Sequence, residues 1–176
     1  QLRSAGEVKE SSAPKEAATG QRSLSLDLLF DQPMLKVELR SAKIPGLPGL
    51  VADHYWLLVI RGVEASDHQT CDRWEIWQRS KQNDDCWGHL HRNLLFPAQG
   101  VGNGPSRLIQ NWLDDEALLL AAKIESSPFT YPFIDKYRYW PGPNSNTFAQ
   151  WVVKDKIVLD MRAIGKSFPV PVLADS

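Results

Sequence analysis

The chain has 176 residues and a formal net charge of −1, with 43% hydrophobic and 23% charged residues. That is enough for one domain with a packed core, and nothing in these totals calls for nucleic acid or an anionic membrane as a partner. No apolar run approaches the roughly 20 residues that cross a bilayer, and the seven tryptophans either fill a core or line a groove.

Residues 1–23, opening "QLRSAGEVKESSAPKEAATGQR", are small and polar without apolar periodicity and read as a flexible tail or linker. Residues 24–176 read as a single domain, with order beginning near Leu24–Leu29. The chain opens on Gln1 rather than Met. A removed signal sequence or membrane anchor upstream would account for that, and so would a trimmed start. In "LKVELR" Leu35, Val37 and Leu39 alternate with Lys36, Glu38 and Arg40, which predicts a half-buried strand. "KIPGLPGLVAD" is a loop, because Pro and Gly recur too closely for a ladder.

"HYWLLVIRG" is apolar on both faces and rich in β-formers, so it predicts a central strand covered on both sides. "RWEIWQ", residues 73–78, predicts a second strand antiparallel to it. Cys71 and Cys86 flank this segment and either pair in a disulfide, as in an exported protein, or stay as two free thiols. "WGHLHRNLLFPAQGVGNGPS" is read as irregular. Its His89 and His91 would share a face on a strand, yet no third ligand follows at a familiar metal spacing, and no metal or cofactor is assigned. Its glycines lack the lysine and the preceding strand of a phosphate-binding loop and are read as a loop near a site mouth.

"DDEALLLAAKIESS" predicts a helix capped by Asp114, with a stripe of Leu113, Ala117, Leu120, Ala121 and Ile124. Tyr131, Phe133, Tyr137, Tyr139 and Trp140 follow in a proline-broken stretch, either as core or as an aromatic wall. A second helix is predicted from about Asn146 to Lys154. "DKIVLDM" is read as a last strand, and the tail as extended. Strands followed by helices predict an α+β fold, an antiparallel sheet packed against helices, rather than alternating βαβ units.

Two residues stand out chemically. Ser145 lies where the second helix begins, and His54 opens the central strand. The first N–H groups of a helix have no internal partner and the dipole is positive there, so a hydroxyl at that position is suited to nucleophilic attack. Serine is equally an ordinary helix cap, and spacing does not bring His54 and Ser145 together. Both readings stay open on the residues.

"ADHYWLLVI", "RWEIWQ", "YRYWPGPNSNTF" and "AIGK", in this order over roughly residues 35–167, resemble a bacterial family with a WPGPNSNTF signature. That signature resembles the Asn-Cys-x-x-Phe segment of circularly permuted NlpC-type papain-like proteins, the relatives of lecithin:retinol acyltransferase. The resemblance implies a circularly permuted papain-like fold with His54 as base, Ser145 as nucleophile and Glu75 or Gln78 as the residue orienting the imidazole. Those two lie on opposite faces of one strand, so only one can face the site. Asn144, Asn146, Trp140 and Tyr139 are the expected substrate-binding residues. The implied function is a hydrolase or acyltransferase acting on a peptide, a peptidoglycan-like cell-wall peptide or an acyl substrate. The alternative is an inactive domain that binds peptide or glycan in the bacterial envelope. Either implies a periplasmic or membrane-anchored, exported protein. Ser145 stands where those enzymes have Cys, which ionises far more readily; the serine is then either a nucleophile working through His54 or the remnant of a site that binds.

Overall fold

The structure is a computed structural model, and the residues it describes are 34–62 and 68–171. The predicted tail 1–23 and the start near Leu24–Leu29 lie outside them. Among the described residues six strands form one sheet: β1 (Met34–Lys43), β2 (Asp53–Gly62), β3 (Thr70–Ile76), β4 (Cys86–Trp87), β5 (Leu90–Arg92) and β6 (Arg107–Leu113). Their order across the sheet is β4-β5-β3-β2-β1-β6, and every pairing is antiparallel. Among the described residues two α-helices, α1 (Asp114–Thr130) and α2 (Ser145–Val153), join the sheet in an α+β architecture. All of these elements fall in one unit, Pro33–Ser176.

β2 sits at the centre of the sheet because both of its faces are apolar. Tyr55, Leu57 and Val59 join Val37 and Leu39 of β1 and Trp74 and Ile76 of β3 under the two helices. Trp56, Leu58 and Ile60 point the other way and pack with Ala42 and Val101 in a second cluster, against which Cys71 and Trp77 lie. From α1, Ala117, Leu120, Ala121 and Ile124 are buried, as their spacing predicts; from α2, Phe148, Ala149, Val152 and Val153 are buried. Phe148 lies edge-on to Tyr131 at 5.1 Å, and truncating so enclosed a ring costs about 3–5 kcal/mol.

The structure departs from sequence expectation in five places. Asp114 does not cap α1: it is the first helical residue, and Leu113 holds the cap position without a side-chain bond. Leu113 itself is half exposed rather than part of the buried stripe. The stretch read as irregular contains β4 and β5, and β6 was not foreseen at all. "DKIVLDM" forms no strand: Gln150 takes Leu159 N–H and Ile157 C=O with its side chain.

Candidate functional site

Two prolines and a glycine, Pro141-Gly142-Pro143, stop regular structure before α2. Asn144 then caps the helix. Its Oδ1 accepts from Asn146 N–H at 2.9 Å and Thr147 N–H at 3.2 Å, and the Thr147 hydroxyl accepts from Asn144 N–H at 3.1 Å. This reciprocal capping box satisfies the Asn146 and Thr147 donors of the first turn. The cap is therefore Asn144 and not Ser145. Ser145 is the first helical residue, and its hydroxyl makes only a 3.4 Å contact with Asn146 Oδ1. Its backbone N–H has no hydrogen-bond partner among the described residues.

Asn146 brings α2 to the central strand. Beyond the last β2–β3 pair, Leu57↔Trp74, the edge of β2 is open. Asn146 Oδ1 accepts from Tyr55 N–H at 3.1 Å, and its Nδ2 donates to Asp53 C=O at 2.9 Å. The amide thus grips the backbone on both sides of His54. Asn144 Nδ2 and Asn146 Nδ2 each donate to Ile164 C=O at 3.0 Å, and the Thr147 hydroxyl donates to Gly165 C=O at 2.7 Å. The "AIGK" turn is thereby the brace under the helix start. Asn144 and Asn146, expected as substrate-binding residues, are buried and spend their amides on the scaffold.

Asp53 supports the same end of β2. It is fully buried and paired with Arg162 at 2.8 Å and with Arg107. Arg162 also donates to the carbonyls of Gly49 at 2.7 Å and Leu50 at 2.9 Å, fastening the β1–β2 loop.

His54 points to the face away from the helices, beside Trp56 and Trp77 at ring distances of 5.9 and 5.4 Å. Its Nε2 lies 2.7 Å from Glu75 Oε2. Glu75 is fully buried. Burial alone would raise its pKa, but the hydrogen bond and charge of His54 together with the Arg73 guanidinium outweigh that and hold the carboxyl below its ordinary value. An ionised carboxylate accepts, so His54 Nε2 is the donor in this contact. Nδ1 has no hydrogen bond among the described residues. Arg73, also fully buried, reaches both Glu75 oxygens: Nη2 donates to Oε2 at 2.8 Å, and Nε lies 2.7 Å from Oε1 in a charge pair bent off the hydrogen-bond axis.

His54 and Ser145 line one small pocket of about 30 Å³ with Asn144, Asn146, Tyr137 and Tyr139. It continues into a groove of about 200 Å³ that shares His54, Ile44, Tyr137 and Tyr139 and adds Pro45, Ile76, Trp77, Gln78, Val101 and Gly102. The loop read as lying near a site mouth does border the groove, through Val101 and Gly102. Gln78 lines this groove; among the described residues it is Glu75, not Gln78, that is hydrogen-bonded to the ring. Tyr139 borders the site, whereas Trp140 lies outside it, largely exposed in a separate hollow with Met161 and Phe168. Tyr131 is core, so the aromatic stretch divides between wall and core.

The remaining candidates resolve structurally. His89 Nδ1 is bonded to Trp77 C=O and His91 Nε2 to Arg79 C=O. Among the described residues no group of three or more His, Cys, Asp or Glu is placed to hold a metal ion. Cys71 and Cys86 are both free, which overturns the disulfide alternative. Sequence reasoning missed Arg73 and the Asp53–Arg162 brace. The available signal for the first was "RWE": residues two apart on a strand share a face, so Arg73 accompanies Glu75 wherever Glu75 points.

No curated protein and no solved structure matches the chain. A family model described as a protein of unknown function, DUF3750, matches residues 34–168, the stretch that contains the whole sheet, both helices and the bracing turn, and the chain belongs to that family.

Proposed function

We propose that the protein is a hydrolase or acyl-transferring enzyme of the papain-like type, in which Ser145 attacks an ester or amide carbonyl. His54 Nδ1 takes the hydroxyl proton as the Oγ–C bond forms and returns it to the leaving group. Glu75 holds the imidazole in the tautomer with Nδ1 unprotonated and stabilises the imidazolium that forms transiently. The unbonded N–H of Ser145, at the positive end of α2, is suited to the developing oxyanion. The observation that carries this reading is the 2.7 Å His54–Glu75 contact on a histidine that shares a pocket with Ser145. The groove lining contains no Lys, Arg, Asp or Glu, which favours a neutral acyl or peptide segment there over a charged one.

A second reading, a binding domain of the bacterial envelope that performs no chemistry, is favoured by one detail. The Ser145 hydroxyl is engaged with Asn146, with no hydrogen bond to His54. A fluorophosphonate probe separates the two. Covalent labelling of the wild type that disappears in Ser145→Ala supports the enzyme; labelling equal to the Ala background rejects it. Thiol-type activity in Ser145→Cys, with an unlabelled wild type, would mark a competent scaffold that lacks only its nucleophile.

A further inference from the structure

We propose that the two loops bordering the groove form an anchor that docks on an anionic lipid bilayer, with the mouth of the groove turned toward the membrane. The inference goes beyond the reaction: it holds whether Ser145 reacts or the site only binds.

The first loop joins β1 to β2 and supplies Ile44 and Pro45 to the groove wall; the second joins β5 to β6 and supplies Val101 and Gly102. The two loops touch, since a Cβ on Gly102 would lie 2.1 Å from Pro45 Cγ. Both leave large apolar side chains in water. Leu47 is 82% exposed, Leu50 73% and Val51 63% on the first loop, and Phe96 is 80% exposed on the second. A single exposed apolar residue is ordinary, but four on two loops that meet at one groove mark a surface with a partner.

Neither loop is slack. In the first, Leu47–Leu50 forms a 3-10 turn with a proline in it, and Arg162 holds the Gly49 and Leu50 carbonyls at 2.7 and 2.9 Å. In the second, Arg73 Nη1 holds the carbonyls of Phe96, at 3.0 Å, and Gln99, and Trp56 Nε1 donates to Pro97 C=O at 3.0 Å. In each loop the scaffold grips the backbone and leaves the apolar side chains outside. Ordering a loop before it docks removes that cost from binding.

Charge selects the bilayer as the partner. No Asp or Glu occurs between Arg40 and Ala52 or between Cys86 and Leu113. In these stretches Arg40, Arg92 and Arg107 are paired with Glu38, Asp85 and Asp53. Lys43 is exposed and has no ion pair among the described residues. Aliphatic and aromatic side chains for the acyl boundary, a lysine for anionic headgroups and no carboxylate to repel them are the chemistry of an interfacial anchor. One lysine attracts weakly, so apolar insertion carries the binding and charge adjusts it. The groove lining holds no Lys, Arg, Asp or Glu, so an uncharged surface continues from the rim to His54.

The test is co-sedimentation of the 176-residue chain with vesicles of phosphatidylcholine alone and of equimolar phosphatidylcholine and phosphatidylglycerol. Wild type should bind both and prefer the anionic vesicles. Leu47→Ser/Leu50→Ser and, separately, Phe96→Ser should each bind about tenfold or more weakly. Their side chains are exposed, so folding by circular dichroism should be unchanged. Lys43→Gln should lose about fivefold on the anionic vesicles and nothing on phosphatidylcholine. Leu118→Ser/Leu119→Ser removes two exposed leucines from α1, which packs on the other face of the sheet, and should bind as wild type does. Wild type that stays in the supernatant with both vesicles overturns the proposal. So does binding that survives the rim variants, or that the α1 variant lowers equally. A concentration-dependent dimer that the rim variants abolish, without vesicle binding, would make the rim a contact between copies and overturn it as well.

Discussion

His54 Nε2 and Glu75 Oε2, 21 residues apart in the chain, meet at 2.7 Å in a contact that water barely reaches. Glu75→Gln should remove most labelling by a serine-directed probe, because the amide neither fixes the tautomer as firmly nor stabilises imidazolium. It also strands the Arg73 charge in the interior, which costs about 3–5 kcal/mol; urea unfolding at pH 7 measures that loss.

Acid should expose the same carboxylate. The folded pKa of Glu75 lies below its ordinary value, so the unfolded chain binds the proton first. Its contribution is complete above about pH 4.3 and is lost as pH falls from there toward the folded value. Wild-type stability should therefore drop more steeply than that of Glu75→Gln as pH falls below about 4.3. Parallel curves would contradict the ionised state.

The capping geometry separates three neighbours. Ser145→Ala deletes one 3.4 Å contact and should change stability by less than about 1 kcal/mol. Asn144→Ala removes the cap and its bonds to Tyr139 and Ile164 carbonyls, and should cost about 2 kcal/mol or more. Asn146→Ala leaves Tyr55 N–H and Asp53 C=O unpaired in the interior and removes one of the two donors to Ile164 C=O, for about 3 kcal/mol or more. Urea midpoints that ranked Ser145→Ala with the other two would restore Ser145 as a structural cap.

Much of the fold could be read from the sequence because its signals are local. Strict alternation in "LKVELR" and the two-sided apolar run of β2 fix where those strands lie; the burial of β2 follows, whereas in β1 Glu38 on the polar face is buried as well, held by Lys36 and Arg40. β6 escaped because it is an edge strand that buries only Trp112, so its pattern never alternates. β4 and β5 are two and three residues long, too short for any period to register. At the site, helix position marked Ser145 and strand position marked His54. What joins them is long-range: the Asn146 grip on β2 and the Arg73–Glu75 pair are contacts between side chains and groups that only the folded chain assembles. The choice of Glu75 over Gln78 needed the direction of one side chain, which alternation narrowed to two faces without selecting either.

The thiols are tested by register. Cys86 stands opposite His91, and His91 opposite Glu75. Cys71 is four residues from Glu75 along β3, about 13 Å of strand, while a disulfide needs Cα atoms within about 7 Å. Chain purified without reductant and then unfolded should release two equivalents on titration with Ellman's reagent, matching the two free cysteines. In the folded state Cys71 should react slowly, since burial pushes its thiol pKa up. A chain that releases none until reduced would refute the register.

Gly165 closes the brace under α2 at a backbone angle side chains seldom adopt, φ 92°. A Cβ there would also lie 2.3 Å from Asn144 Nδ2, inside any tolerable contact. Gly165→Ala must then shift either the turn or the cap. The strain alone is worth about 1–3 kcal/mol, and moving the cap adds to it. Because Ile164 and Gly165 carbonyls hold Asn144, Asn146 and Thr147 together, the displacement is passed to Ser145 and to the strand carrying His54. The variant should lose serine-probe labelling even where it remains folded at 20 °C, although no atom of Gly165 faces the groove. Labelling at the wild-type rate in a folded Gly165→Ala would mean that the turn supports the helix without setting the position of its first residue.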